Sequence, residues 1–157
     1  MRPRSPFKIT TDGTVKVTLA AWKRQLLTDL PQQLQELMNS NSPSNQRLFP
    51  AAYVGDEERE EEYQRYMREE LLASRMAAAT ILSESAKKTQ ITTDELATWV
   101  NVCNSIRLVL GTQLDVSEDD DPIEPDDPNL QTHQLYGWLG FMVECGVQTL
   151  SKGFTTK

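Results

Sequence analysis

Apolar residues recur at steps of three and four along four segments of this chain, and this spacing constrains the fold more than any other sequence feature. The segments span about residues 19–38, 56–86, 92–111 and 127–153. Such spacing puts the apolar residues on one face of an α-helix, which must be buried against other helices. With 157 residues, the chain is expected to form a single, mostly α-helical domain resembling a four-helix bundle.

The first helical segment has a clear apolar stripe and an internal proline. Thr18 is expected to cap its N-terminus. Pro31 should kink the helix or split it in two, since proline lacks the backbone N–H that a helix interior needs. The predicted buried stripe consists of Leu19, Trp22, Leu26, Leu30, Leu34 and Leu37.

The third and fourth helices carry recognisable end signals. Thr92 and Glu95 have the spacing of a capping box, in which each side chain accepts a hydrogen bond from the other's backbone N–H. Gly111 is the expected C-cap of the third helix. Asp127 is predicted to be the N-cap of the fourth helix, with Pro128 at its first position.

Residues 7–17 alternate between apolar and polar and predict an N-terminal β-hairpin. A three-residue loop over residues 11–13 keeps the apolar residues on one face and puts Gly13 in the left-handed position. A two-residue loop would scramble that face. The favoured register pairs Phe7 with Val17 and Ile9 with Val15.

Charge is concentrated in one segment. The chain has 23 acidic and 16 basic residues, and eight of the acidic residues lie within 115–127, which has no basic residue. Like charges, Pro122 and Pro125 within the segment and Pro128 directly after it predict a solvated linker there, with contact to a basic partner or a loose divalent-cation site as the alternatives. The basic residues are scattered, so direct DNA binding is an alternative that the sequence does not favour.

The sequence lacks the motifs of common enzymes. It contains no nucleotide-binding glycine loop and no metal-ligand motif, and its one histidine, His133, stands apart from other candidate ligands. We therefore expect no enzymatic activity, no cofactor and no metal. A cytoplasmic location is expected, because there is no long apolar run or signal sequence and only two cysteines are present.

Cys103 and Cys145 are the redox candidates. If the third and fourth helices are antiparallel with level ends, the two residues differ by about 15 Å in height along the helix axes. A disulfide needs Cα atoms about 4.4–6.8 Å apart, so this arrangement disfavours an intramolecular bond. A buried, inert thiol is the simpler expectation, and a redox role is the alternative.

Four stretches carry a family resemblance: residues 47–53 (RLFPAAY), 63–72, 107–116 and 136–139 (YGWL). Together they resemble a small actinobacterial family catalogued as a domain of unknown function, whose named members are the AosR oxidative-stress-responsive regulators. The resemblance implies a helical cytoplasmic protein without known enzymatic activity. It also implies transcription regulation through a thiol switch and contact with the transcription machinery, such as a sigma factor or RNA polymerase. That switch is a Cys-x-x-x-Cys pair, whereas the two cysteines of this chain are 42 positions apart.

The first functional hypothesis is therefore a regulatory or adaptor protein that acts by protein–protein contact. The second is a redox-responsive regulator that binds DNA and uses Cys103 and Cys145. The third is a metal-binding protein or an enzyme of unknown class. The candidates for a partner surface are polar and aromatic residues of the family stretches: Arg47, Phe49, Tyr53, Arg68 and Arg107.

Overall fold

The periodic segments form four helices in the computed structural model, which describes residues 4–38, 55–114 and 126–155. Consecutive helices pack on one another, with the largest contact between the third and the fourth. The predicted helical bundle with an N-terminal hairpin is thus confirmed. None of the helices in these ranges is long and apolar enough to cross a membrane. The helices are α1 (Ala21–Met38), α2 (Glu57–Ser85), α3 (Thr93–Gln113) and α4 (Leu130–Thr155).

The N-terminal hairpin has the predicted register and belongs to a larger sheet. Strands β1 (Phe7–Ile9) and β2 (Val15–Val17) pair with Phe7 opposite Val17, and Gly13 has a φ of +86°. A third strand, β3 (Gln90–Ile91), pairs antiparallel with the other edge of β2. The sequence did not predict β3, because two residues between helices are too few to show an alternating pattern.

Trp99 of α3 joins the sheet to the helices in the middle of the core. Its side chain is 1% exposed, and its Nε1–H donates to Ser85 Oγ at 2.6 Å. The ring of Phe7 meets the Trp99 ring edge-on, with 6.1 Å between centroids. A buried indole needs a partner for its N–H, and Ser85, at the end of α2, supplies it.

The predicted buried stripe of α1 is wrong at Trp22, whose side chain is 65% exposed. The buried face comprises Leu27, which the predicted stripe omitted, and Leu30 and Leu34, which it contained. At 3.6 residues per turn, Trp22 points about 140° away from Leu27 and about 120° away from Leu34. The prediction is therefore wrong at Trp22, whereas Leu30 and Leu34 of the predicted stripe are confirmed as buried.

The ends of α1 and its proline also differ from the prediction. The helix begins at Ala21, and the backbone N–H groups of Lys23 and Arg24 both donate to the Ala20 carbonyl, so Thr18 is not the cap. Pro31 does not split α1, which is continuous to Met38. Pro31 is fully buried, so its ring contributes to packing between the helices.

Gly111 does not end α3, and Asp127 does not directly begin α4. The helix α3 continues to Gln113, and Gly111 lies buried within it. The Asp127 carboxylate accepts the Asn129 N–H at 2.7 Å and closes a turn that precedes α4. The usual preference of glycine for the position after a helix therefore does not set the end of α3.

The predicted capping box at the start of α3 is confirmed. Thr92 Oγ1 accepts the Glu95 N–H at 3.0 Å, and Glu95 Oε1 accepts the Thr92 N–H at 3.0 Å. The hydrogen bond from the Thr92 backbone lowers the pKa of the Glu95 carboxyl. The box starts α3 directly after β3 and so fixes the sheet against the helices.

Arg24 ties three parts of the chain together through backbone carbonyls. Its Nη1 donates to Ala86 O at 3.2 Å and to Lys88 O at 2.7 Å, just beyond the end of α2. Its Nη2 donates to Val17 O at 2.9 Å, at the end of β2. Its Nε donates to Leu19 O at 3.2 Å. One guanidinium therefore holds the start of α1, the end of β2 and the turn after α2.

Replacing Arg24 with methionine should lower the free energy of unfolding by about 2–4 kcal/mol, because the carbonyls it binds lose charged donors. Urea denaturation would measure this change. The control is Arg59→Met on α2, where the arginine side chain is 71% exposed and makes a surface ion pair. The free energy of unfolding of this control should change by less than about 0.5 kcal/mol. Equal stability of the two variants would contradict the role given to Arg24.

Two glycines of α4 should respond oppositely to alanine. A Cβ at Gly146 would clash with Val100 Cγ2 of α3, whereas a Cβ at Gly137 would meet nothing within 4 Å. We expect Gly146→Ala to cost about 1–3 kcal/mol through overpacking. Gly137→Ala should stabilise the protein by about 0.5–1 kcal/mol through helix propensity. Thermal unfolding of both variants would test this, and a stabilising Gly146→Ala would refute the close approach of α3 and α4.

Candidate functional site

The two redox candidates are buried free thiols. Cys103 is 2% exposed and Cys145 is 6% exposed. Desolvation by burial raises the pKa of the Cys103 thiol to about 12 and also raises the pKa of Cys145. The thiolate is the nucleophilic form of cysteine, so these environments make both thiols slow to react. They are suited to packing, and their redox role stays a hypothesis.

Arg107 is the one predicted partner-surface residue whose side chain is among those that the structure describes. It lies between α3 and α4. Its guanidinium carbon is 5.6 Å from the centroid of the Tyr136 ring of α4. Its Nη2 is 3.5 Å from Asn104 Oδ1, and its Nε is buried without a hydrogen-bond partner. This placement favours packing of α3 against α4 over an open contact surface. Arg47, Phe49, Tyr53 and the side chain of Arg68 lie outside the described residues.

His133 is a partly buried residue near the start of α4. Its Nε2 lies 4.0 Å from Asp127 Oδ2, so a protonated imidazole would pair with the carboxylate that closes the preceding turn. Within residues 4–38, 55–114 and 126–155, no three histidine, cysteine or acidic side chains group as metal ligands would.

The structure brings together two basic pairs that are far apart in the sequence. Lys23 and Arg24 begin α1, and Lys87 and Lys88 follow α2. The bond from Arg24 Nη1 to Lys88 O holds the two segments at the same end of the molecule. Lys87 and Lys88 are exposed, and Lys88 Nζ lies 3.1 Å from Glu95 Oε2. Sequence spacing could not show this grouping, since Arg24 and Lys88 are 64 residues apart.

Trp22 stands at this basic end of the molecule. Lys23 Nζ lies 5.4 Å from the centroid of the Trp22 ring, within the range of a cation–π contact. The residues at this end of the molecule, namely Trp22, Lys23, Arg24, Lys87 and Lys88, are together called the Trp22 patch below. It combines a large apolar ring with positive charge. Sequence reasoning missed it because Trp22 was assigned to the core.

A second feature that the sequence did not reveal is a cavity of about 230 Å³ between α1, α2 and α3. Arg75 of α2 lines it and donates from Nη1 to Ser105 Oγ of α3 at 2.9 Å. The Nε of Arg75 is buried and has no hydrogen-bond partner. The other residues that line the cavity are Leu34, Leu71, Ser74, Ala78, Asn101 and Val102.

These features define a class: a helical-bundle protein with a small N-terminal sheet, buried free thiols, and an exposed tryptophan at the same end of the molecule as two basic pairs. The chain belongs to the family described as a domain of unknown function, DUF2017, which it matches over residues 1–150. No curated protein and no solved structure matches the chain.

Thiol labelling of the native protein should be slow at both cysteines. We expect each to react with an aromatic disulfide reagent at pH 8 at least tenfold more slowly than in the urea-unfolded chain, with Cys103 the slower. The folded pKa of Cys103, about 12, lies above the ordinary value of 9.0, so raising the pH to 10 ionises the unfolded thiol but not the folded one.

The variants Cys103→Ala and Cys145→Ala would assign the two labelling rates. If Cys103 in the folded Cys145→Ala variant were modified as fast as in the unfolded chain, its assignment as an inert core thiol would be refuted.

Proposed function

We propose that this protein is a non-enzymatic regulatory adaptor that acts by binding another protein through the Trp22 patch. The observation that carries the proposal is the 65% exposure of Trp22 beside Lys23. Tryptophan and arginine are enriched among the residues that dominate protein–protein binding energy. An exposed indole ring that lies next to the Lys23 cation, and not in the core that its sequence pattern suggests, fits a surface that a partner covers.

The charge of the Trp22 patch indicates the chemistry of the partner. Lys23, Lys87 and Lys88 are cations at one end of the molecule, and Glu95 pairs with one of them. Acidic groups on a partner would be attracted to this end and would speed association at low salt. The partner is therefore a protein with an acidic segment that also offers an apolar pocket for the indole.

The resemblance to AosR regulators supports a more specific role in transcription regulation during oxidative stress. In that role the protein is cytoplasmic, and its partner belongs to the transcription machinery, such as a sigma factor or RNA polymerase. The burial of Cys103 and Cys145 supports a version of this role that does not depend on a disulfide between them. Regulation would then come from partner binding, with no covalent step on this chain.

Direct DNA binding is a second candidate, favoured by the meeting of the two basic pairs. Phosphate contacts need clustered lysine and arginine, which this end of the molecule provides. Asp94 and Glu95 begin the neighbouring helix α3 and would repel phosphates. Arg24 also directs its donors to backbone carbonyls. These two observations favour a protein partner over DNA.

Affinity capture from the native host would test the proposal. The full-length protein should retain a specific protein, and Trp22→Ala should reduce its recovery at least tenfold. A Lys87→Glu/Lys88→Glu double variant should weaken binding mainly at low salt, since surface charge acts through screened attraction. The matched control is Val147→Ala, which removes an apolar side chain that is 48% exposed on α4. Undiminished capture by the folded Trp22→Ala variant would refute the assigned surface.

A gel-shift titration with duplex DNA separates the two candidates. We expect no saturable shift at 150 mM salt. A specific shift that weakens steeply with salt and is lost in the Lys87→Glu/Lys88→Glu variant would favour the DNA alternative instead.

A further inference from the structure

The Arg75 guanidinium has N–H groups that donate no hydrogen bond to the described residues. A guanidinium carries five N–H donors, and the structure gives Arg75 one bond, from Nη1 to Ser105 Oγ. Its Nε is buried and lacks an acceptor, which costs free energy in a folded protein. Among the described residues, no carboxylate lies within 4.0 Å of this guanidinium. A partly buried cation without a counter-ion is uncommon unless something else supplies the negative charge.

Ser105 fixes the orientation of this cation. Its hydroxyl accepts from Arg75 Nη1 and donates to Asn101 O at 3.1 Å, and the residue is 4% exposed. Because the hydroxyl both donates and accepts a hydrogen bond within the protein, we assign Ser105 the role of orienting the guanidinium. The guanidinium is thereby held at the wall of the cavity.

The cavity is lined by both polar and apolar residues. Ser74 and Asn101 lie with Arg75 among its polar residues, and Leu34, Leu71, Ala78 and Val102 supply its apolar side. A volume of about 230 Å³ is below the usual range for drug-sized ligands, which begins near 300 Å³. A small molecule with one charged end and a short hydrocarbon chain matches both the size of the cavity and its mixed polar and apolar lining.

We propose that this cavity is a binding site for a small monocarboxylate. The carboxylate would accept hydrogen bonds from the Arg75 guanidinium, whose planar fork of donors matches two carboxylate oxygens. A short alkyl chain would lie against the leucine, alanine and valine side chains. One negative charge balances the single cation among the described residues that line the cavity, whereas a phosphate dianion would leave a second charge uncompensated by them.

This site is independent of the proposed partner-binding function. Leu34 of α1 lines the cavity, and it lies 12 residues, or about 18 Å along the helix, from Trp22. Carboxylate binding could therefore fail while the Trp22 patch still binds a protein, and the reverse also holds.

Titration of the full-length protein with sodium acetate, propionate and butyrate at constant ionic strength would test the site. We expect saturable shifts of the backbone amide signals around Arg75 and Ser105 in two-dimensional NMR spectra. Each added methylene should tighten binding up to about fourfold, because it buries more apolar surface. Saturation by inorganic phosphate that is tighter than by butyrate, or the absence of saturation with any carboxylate, would overturn the proposal.

Three variants identify the groups responsible. Arg75→Met keeps the hydrocarbon stem but removes the donors, and it should weaken butyrate binding at least tenfold. Arg59→Met, an exposed arginine on the same helix, should bind butyrate as the wild type does. Ala78→Leu fills the apolar side and should remove the advantage of butyrate over acetate. Equal butyrate affinity in folded Arg75→Met and Arg59→Met would overturn the site. If Arg75→Met does not fold, the chain-length series and Ala78→Leu decide the question.

Discussion

The arrangement of the sheet on the helices depends on the hydrogen bonds that the Arg24 guanidinium donates to backbone carbonyls. Two short strand pairings would be marginal alone, since small sheets need packing against other elements. Arg24 gives the end of β2 and the turn after α2 a shared charged donor, and Trp99 then packs over Phe7 on the core side. Neutral carbonyls satisfy this cation, so its formal charge remains part of the surface field near Lys88.

The burial of Cys103 in the core disfavours a thiol switch at this residue. Trp99, Cys103 and Ile106 lie on the same buried face of α3, where water is excluded. The exclusion that stabilises the core also disfavours the thiolate, so a reactive Cys103 would require the helices to separate. Function is therefore expected at surfaces and cavities that the helices leave accessible. One candidate is the Trp22 patch, at the start of α1 and the turn after α2, and the other is the cavity between α1, α2 and α3.

The sequence could predict features whose signals are local. The turn at Gly13 and the capping box at Thr92 depend on residues within four positions, and both are present. Trp22 was misplaced because several starting points fit the apolar spacing of α1, and only packing against α2 selects the face. The roles of Arg24 and Arg75 depend on partners 62 and 30 residues away, so no pattern along the chain could reveal them.

The pairing of α1 with α2 explains how one small domain can carry two separate sites. The helices run antiparallel, with Ser83 Oγ donating to Thr28 O at 2.8 Å and Gln35 Nε2 to Met76 O at 3.0 Å. These two bonds, seven residues apart on α1, fix the register of the pair over about two turns. Trp22 lies beyond the Thr28–Ser83 end of this paired stretch, whereas Arg75 lies next to Met76 at its other end. A ligand beside Arg75 would thus contact the same rigid pair that presents Trp22, without touching the patch itself.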